Sequence, residues 1–351
     1  MLKFFIVLSF FLTNYCCACE HVILKIPNLD KEQIVAYSTG LRPYRKNGIR
    51  LEAETIDNKL IIHNYGHGGS GISLSWGSAQ EAINIMKLHN NQGSNIAVLG
   101  AGVIGLTTAY ILKSQGYSVT IYAREFVPQT TSNKAAGIWS ADFGFSSMDE
   151  TLYTRLKNVS YLKFQELATD NKSEIQGVFI LPSYTEKDQF KIDDPLPDSH
   201  CVAWCNGVAK VCKKSSNIVF DFNIYMQDLF DQVRHKEVNF QYKNIESIKD
   251  LLQLPEDIIF NCSGLGSREI FNDAMLVPIK GHLVKFTAQP EIDFIVSKWH
   301  QKKDTFFSLI PWKTQLVLGG TMEKGVENLD IDEQKINDLI ESAKKFFNIK
   351  S

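Results

Sequence analysis

One stretch narrows the choice of fold more than any other: "NIAVLGAGVIGLTTAYILKSQGYSVTIYARE", residues 95–125. "IAVLG" is a short apolar run bounded by polar residues, as a buried strand requires. "GAGVIG" follows at once, "LTTAYILKSQG" has helical spacing and ends on Gly116, and "SVTIYA" reads as a second strand. Together they make a βαβ unit, which commits this part of the chain to a doubly wound parallel sheet. Gly100 permits the tight turn, Gly102 lets backbone approach a pyrophosphate, and Gly105 lets the helix pack on the sheet. Ala101, Val103 and Ile104 complete the phosphate loop. Glu125 follows Gly105 by twenty residues, where an acid accepts from ribose hydroxyls. Arg124 could pair with a 2′-phosphate, but Glu125 would repel one. The expected cofactor is FAD or NAD.

A second glycine-rich turn comes earlier, in "IIHNYGHGGSGISLSWGSAQEA", residues 61–82. Gly68, Gly69 and Gly71 lead into an apolar run from Ile72 and Ser73 onward that reads as a helix. A glycine turn at a helix start offers backbone N–H groups to an anion or an electron-rich ring edge. The chain therefore presents two such sites, and their order needs explaining.

At 351 residues the chain can hold one large domain or two intimate ones. Its formal charge of −2 gives no reason to expect nucleic acid or an anionic membrane surface as partner. "MLKFFIVLSFFLTNYCCAC" has Lys3, an apolar core and small residues up to Ala18. That is a signal-peptide pattern over residues 1–18, too short for a membrane span, and export is the expectation. Lipid modification at Cys19 is disfavoured, because the residues before it match a lipobox poorly. Cys201, Cys205 and Cys212 share one loop-like stretch, unliganded or joined by a disulfide that an oxidising compartment would permit. No further ligands follow at zinc spacing, so no metal is expected.

"REFVPQTTSNKAAGIWSADF" (124–143) resembles the segment after the second strand in the D-amino-acid oxidase and D-aspartate oxidase family of flavoenzymes. "IIFNCSGLGSREI" (258–270) is similar to that family's late strand returning to the flavin, and "LVLGGT" (316–321) to a strand of its substrate domain. "GLRPYRKNGIRLE" (40–52) and "HNYGHGGSGISLSWG" (63–77) resemble the family's two last segments, yet here they come first. The tail "IDEQKINDLIESAKKFFNIKS" looks like the helix that would run into "IPNLDKEQIVAYSTGLRP" (26–43). The resemblance thus implies a circularly permuted order, which surface termini make tolerable.

The implied fold is α/β: a Rossmann-like doubly wound FAD domain interleaved with a mixed, largely antiparallel substrate domain. Residues 60–145 and 241–270 would belong to the FAD side, and 19–59, 146–240 and 271–351 mainly to the substrate side. Substrate-domain strands are expected near 177–181, 283–287 and 316–319. No membrane span and no nucleic-acid partner are implied.

The resemblance also assigns roles. FAD takes a hydride from the substrate α-carbon at flavin N5, and O₂ reoxidises it to give H₂O₂, 2-oxo acid and ammonia. Arg42 matches the arginine that clamps the substrate carboxylate, and the Gly69 carbonyl would accept from the substrate amine. Arg45 and Arg50 are nearby and stay undecided, with either a candidate to serve an acidic side chain. Gly68, Gly69, Gly71, Ile72 and Ser73 would line the flavin edge, with His67 structural in the turn. Thr130, Thr131, Gly137 and Ile138 would contact FAD, with Ile245 and Ser263 toward the adenosine and pyrophosphate.

The pocket departs from the family. Ser308 stands where a tyrosine hydroxyl joins the arginine, Asp304 where a second pocket tyrosine stands, and Ser140 replaces an amide beside Trp139. Phe306 or Phe307 is left to form an apolar wall. The main reading is an oxidase of D-amino acids, with "GLRPYR" and "LGGTMEKG" hinting at an acidic substrate. Its alternatives are a glycine-, sarcosine- or amine-type oxidase, a dehydrogenase, or an exported flavoprotein without turnover.

Overall fold

The computed structural model describes residues 20–89, 95–141, 148–187, 199–300 and 305–350. The expected leader, Cys19 and Asp304 lie outside them. The strands are β1 (His21–Ile23), β2 (Ile34–Arg45), β3 (Arg50–Ile56), β4 (Lys59–Tyr65), β5 (Asn95–Leu99), β6 (Ser118–Ala123), β7 (Val178–Glu186) and β8 (His200–Cys205). They continue as β9 (Val208–Phe220), β10 (Asn239–Tyr242), β11 (Ile258–Asn261), β12 (Leu276–Thr287), β13 (Ile295–His300), β14 (Thr305–Pro311), β15 (Gln315–Gly319) and β16 (Glu323–Lys324). The helices are α1 (Gly71–Leu88), α2 (Val103–Ser114), α3 (Glu150–Thr169), α4 (Phe222–His235), α5 (Ile248–Leu252), α6 (Ser267–Ile270) and α7 (Glu333–Phe347).

One sheet has the order β10-β6-β5-β11-β4-β3. All its pairs are parallel except β3 with β4. Strands buried on both faces must be apolar throughout, and β5 and β11 are. On one face Leu60, Ile62, Ile96 and Val98 pack with Ile83, Leu106, Leu112 and Leu229 of α1, α2 and α4. On the other, Ile61, Ala97 and Ile259 meet Leu251 and Ile270 of the two short helices. This is a doubly wound sheet, as the βαβ pattern required. A Cβ on Gly105 would lie 1.9 Å from the Gly100 carbonyl oxygen, so α2 approaches its loop only because Gly105 has no side chain. Gly100 itself sits at φ 97°.

The second sheet runs β1-β8-β9-β7-β13-β14-β15-β12-β16, with β2 also paired to β12. It is antiparallel except for β1 with β8 and β13 with β7. The strands expected near 177–181, 283–287 and 316–319 are β7, β12 and β15. Val284, Phe286, Phe307 and Leu318 on one face pack under Leu339, Phe346 and Phe347 of α7, which Asp332 caps by accepting from the Lys335 amide. The opposite face is left for the cavity described below.

Chain segments and sheets do not divide alike. β3, ahead of residue 60, joins the first sheet. Within the span 146–240, α3 stacks on α1, with the Ser160 hydroxyl accepting from the Gly77 amide at 2.7 Å. The cysteine stretch is a hairpin rather than a loop: Cys201 pairs with Cys212 across β8 and β9. Cys201, Cys205 and Cys212 are buried free thiols, so the permitted disulfide is not formed. Burial raises all three, Cys205 to about 11. Among the described residues no three metal-ligating side chains cluster, and no helix is long and apolar enough to cross a membrane.

Candidate active site

A cavity of about 680 Å³ runs from the C-terminal edge of the first sheet to the free face of the second. At one end lie Gly100, Ala101, Gly102, Val103 and Ile104, with Arg124, Glu125 and Ile245 beyond them. Gly105 lies beneath the loop, supporting it. Sequence reasoning missed Ser132, whose hydroxyl accepts from the Val103 amide at 3.0 Å and so already occupies one helix-start donor. Thr130 and Thr131 line the same wall, Thr130 donating to Asn133 Oδ1 at 2.8 Å. Ser263 lines it from the end of β11, held by Asn261 Oδ1 at 2.7 Å. Lys243 and Asn244 also line this end and carried no motif to mark them.

The histidine-glycine turn closes the middle. Gly68, Gly69, Gly71, Ile72 and Ser73 all line the cavity, brought there because β4 ends beside β11 and turns straight into α1. Ser73 Oγ accepts from the Ser140 amide at 2.9 Å, joining this turn to the 137–140 segment. Gly137 adopts φ 90°, and a Cβ there would lie 2.3 Å from the Phe220 carbonyl. His67 is buried against Ser78 at 3.1 Å, and burial pushes its pKa down to about 3. It is neutral and structural. Asn64, also missed, lines the cavity and is fully buried, yet neither its Nδ2 nor its Oδ1 meets a hydrogen-bond partner among the described residues. Buried amides are as a rule hydrogen-bonded, so this one is a place for a ligand's polar group.

Arg42 reaches the far end from β2. Its Nη1 donates to the Thr321 carbonyl at 3.1 Å, and burial lowers its pKa to about 10, leaving it cationic at neutral pH. The guanidinium lies over Gly281 of β12: a Cβ there would come within 2.5 Å of Nη1 and 2.6 Å of Nη2. Ile138, Ser140 and Ser308 line this end too. Ser308 Oγ is 2.8 Å from Ser297 Oγ. Phe306 takes the wall position, whereas Phe307 points into the core under α7. Arg45 and Arg50 are both engaged elsewhere, Arg45 with Asp273 at 2.7 Å and Arg50 with Glu52 and Glu54 at 2.6 and 3.0 Å.

The cavity suits FAD. A glycine loop at a parallel-sheet edge takes a pyrophosphate, Glu125 lines the cavity where a ribose would lie, and the Asn64 amide, beside the second glycine turn, offers unclaimed polar atoms to a ring. The family model of FAD-dependent oxidoreductases (DAO) matches residues 95–350. The chain belongs to that family. Curated relatives include a D-amino-acid oxidase from Dictyostelium discoideum, 28% identical over 70% of this chain and 71% of its own. A D-aspartate oxidase from Homo sapiens is 25% identical over 70% and 74%. Among solved structures, glycine oxidase from Bacillus cereus superposes with TM-score 0.53 at 14% identity, covering 72% of this chain and 79% of that one. Iminodiacetate oxidase from Chelativorans gives 0.53 at 14%, over 72% and 79%. The fold is that of these oxidases, and the protein is an FAD-dependent oxidoreductase.

Proposed function

We propose that the protein oxidises D-amino acids, passing the substrate α-hydrogen as hydride to FAD, with O₂ as final acceptor. The products are H₂O₂ and an imino acid that hydrolyses to 2-oxo acid and ammonia. FAD supplies the two-electron chemistry when bound; the chain's own residues bind, orient and exclude water. The observation that carries the reading is Arg42, a buried guanidinium in the wall of the same cavity as both glycine turns. A planar fork with this placement takes a carboxylate in two hydrogen bonds. Gly69, on a turn that lines the same cavity, would offer its carbonyl to the substrate amine. The N-terminus of α1, in the wall of the same cavity, would offer backbone donors to a bound flavin that gains negative charge on reduction. The relatives named for D-amino acids support the choice of enantiomer.

The test is anaerobic bleaching of the flavin by D-amino acids and not by their L-forms. Bleaching by L-forms alone, or by neither, would overturn the reading.

We infer also that the chain order is circularly permuted. The family match begins at residue 95, while β2, β4 and α1 ahead of it build the same two sheets and the same cavity. Leu24 and Asn348 both dock on the β8–β9 hairpin: the Leu24 amide donates to the Trp204 carbonyl at 3.0 Å, and Asn348 Nδ2 to the Asn206 carbonyl at 3.0 Å. Those two chain positions could be joined across a short gap.

A further inference from the structure

The cavity extends away from Arg42 along the free face of the second sheet. Strands β14, β13, β7 and β9 lie side by side there. Period-two alternation turns Ser308, Ser297, Ser183, Thr185, Ser215 and Asn217 toward the cavity, which all six line. The residues between them confirm the direction, since Tyr184 and Phe307 enter the core under α7. Register sets the six out as a patch: Ser297 stands opposite Ser308 and alongside Thr185, and Ser183 stands opposite Ser215.

Ser297 and Ser308 hydrogen-bond each other, and Asn217 Nδ2 donates to the Trp139 carbonyl at 3.4 Å. The backbones of Ser183, Thr185 and Ser215 pair in the sheet, and their hydroxyls hydrogen-bond no described residue. A hydrocarbon laid over these hydroxyls would strip their water and return nothing, whereas an amide or hydroxyl would replace it. Charge on this arm is already matched. Lys298 lies 2.9 Å from Glu186 Oε2, and the two arginines once open to an acidic side chain are held by Asp273, Glu52 and Glu54.

Resting on the amino-acid oxidase reading above, we infer that the substrate carries an uncharged, hydrogen-bonding side chain, an amide or a hydroxyl, which this arm recognises. Sites that hydrogen-bond a substrate group discriminate strongly against the isostere lacking it.

Isosteric pairs test this in the FAD-loaded enzyme. Flavin reduction is followed anaerobically with D-threonine against D-valine, D-asparagine against D-leucine, and D-asparagine against D-aspartate. The ratio of reduction rate constant to dissociation constant should favour D-threonine and D-asparagine over their hydrocarbon partners by about tenfold or more. D-asparagine should also exceed D-aspartate. Reduction by D-valine or D-leucine at equal or higher efficiency overturns the inference while leaving the oxidase reading intact, and a preference for D-aspartate does the same. If no D-amino acid reduces the flavin, it is the oxidase reading that fails, and the inference with it. In Ser183→Ala/Thr185→Val, with FAD absorbance retained, the asparagine-to-leucine ratio should fall to about twofold. An unchanged ratio would overturn the assignment to this arm.

Discussion

Gly281 and Arg42 show how little a single residue needs to carry in order to matter. Arg42 stands opposite Ile279 in the β2–β12 ladder, and its guanidinium reaches diagonally over Gly281, into the volume a Cβ would take. We predict that Gly281→Ala tilts the fork out of its plane. A partly lost charge-assisted pair is worth about 1.5–3 kcal/mol, or roughly tenfold to a hundredfold in KM for a carboxylate substrate. Flavin absorbance should be unchanged, because Gly281 lies at the far end from the phosphate loop. A KM equal to wild type would show that the guanidinium does not rest on this glycine. Arg42 was legible in the sequence from its motif. Gly281 was not, because its role is defined only by a side chain that reaches it diagonally from a strand distant in the sequence.

At the scale of an element, the turn from β4 into α1 holds two histidines without charge. Burial pushes His63 down to about 4, with Arg50 adding to it, and His67 to about 3. The unfolded chain protonates both near 6.5, so between pH 6.5 and about 4 it binds more protons than the folded one. Stability therefore falls as pH drops through that window, each histidine contributing up to about 1.4 kcal/mol per pH unit. Urea midpoints measured from pH 7 to 4 should decline, and His67→Gln should flatten the decline. A midpoint independent of pH over that range would contradict the buried neutral assignment. Glycine spacing and the apolar run located this turn in advance. Asn64, one strand residue earlier, was passed over because an asparagine in a strand carries no signal until its burial and lack of partners are seen. Ser132 was missed for the same reason: its bond to the Val103 amide crosses from a separate segment.

At the scale of the whole molecule, the two sheets are completed by segments from both ends of the chain. If the order is permuted, beginning the chain at residue 95 and placing 20–89 after 350 should leave the protein folded. We expect FAD retention and reduction rates within a few-fold of the original, since the one new junction and the new termini lie in exposed chain. Recovery of soluble but FAD-free protein would show that the present order is required for assembly. The cysteine hairpin teaches the converse lesson. Cys201, Cys205 and Cys212 read as a loop-like stretch, yet strand pairing buries all three as free thiols.

By itself the sequence determined the βαβ cradle and the histidine-glycine turn, while Arg42 was singled out by a resemblance. Each of the first two is a local pattern whose meaning follows from the backbone geometry of a few neighbouring residues. Tertiary structure alone decided that these pieces share one cavity, that Arg45 and Arg50 are spent on ion pairs, and that hydroxyls from four strands form one wall. Those outcomes depend on strand order and register between residues far apart in the chain, and no local pattern encodes them.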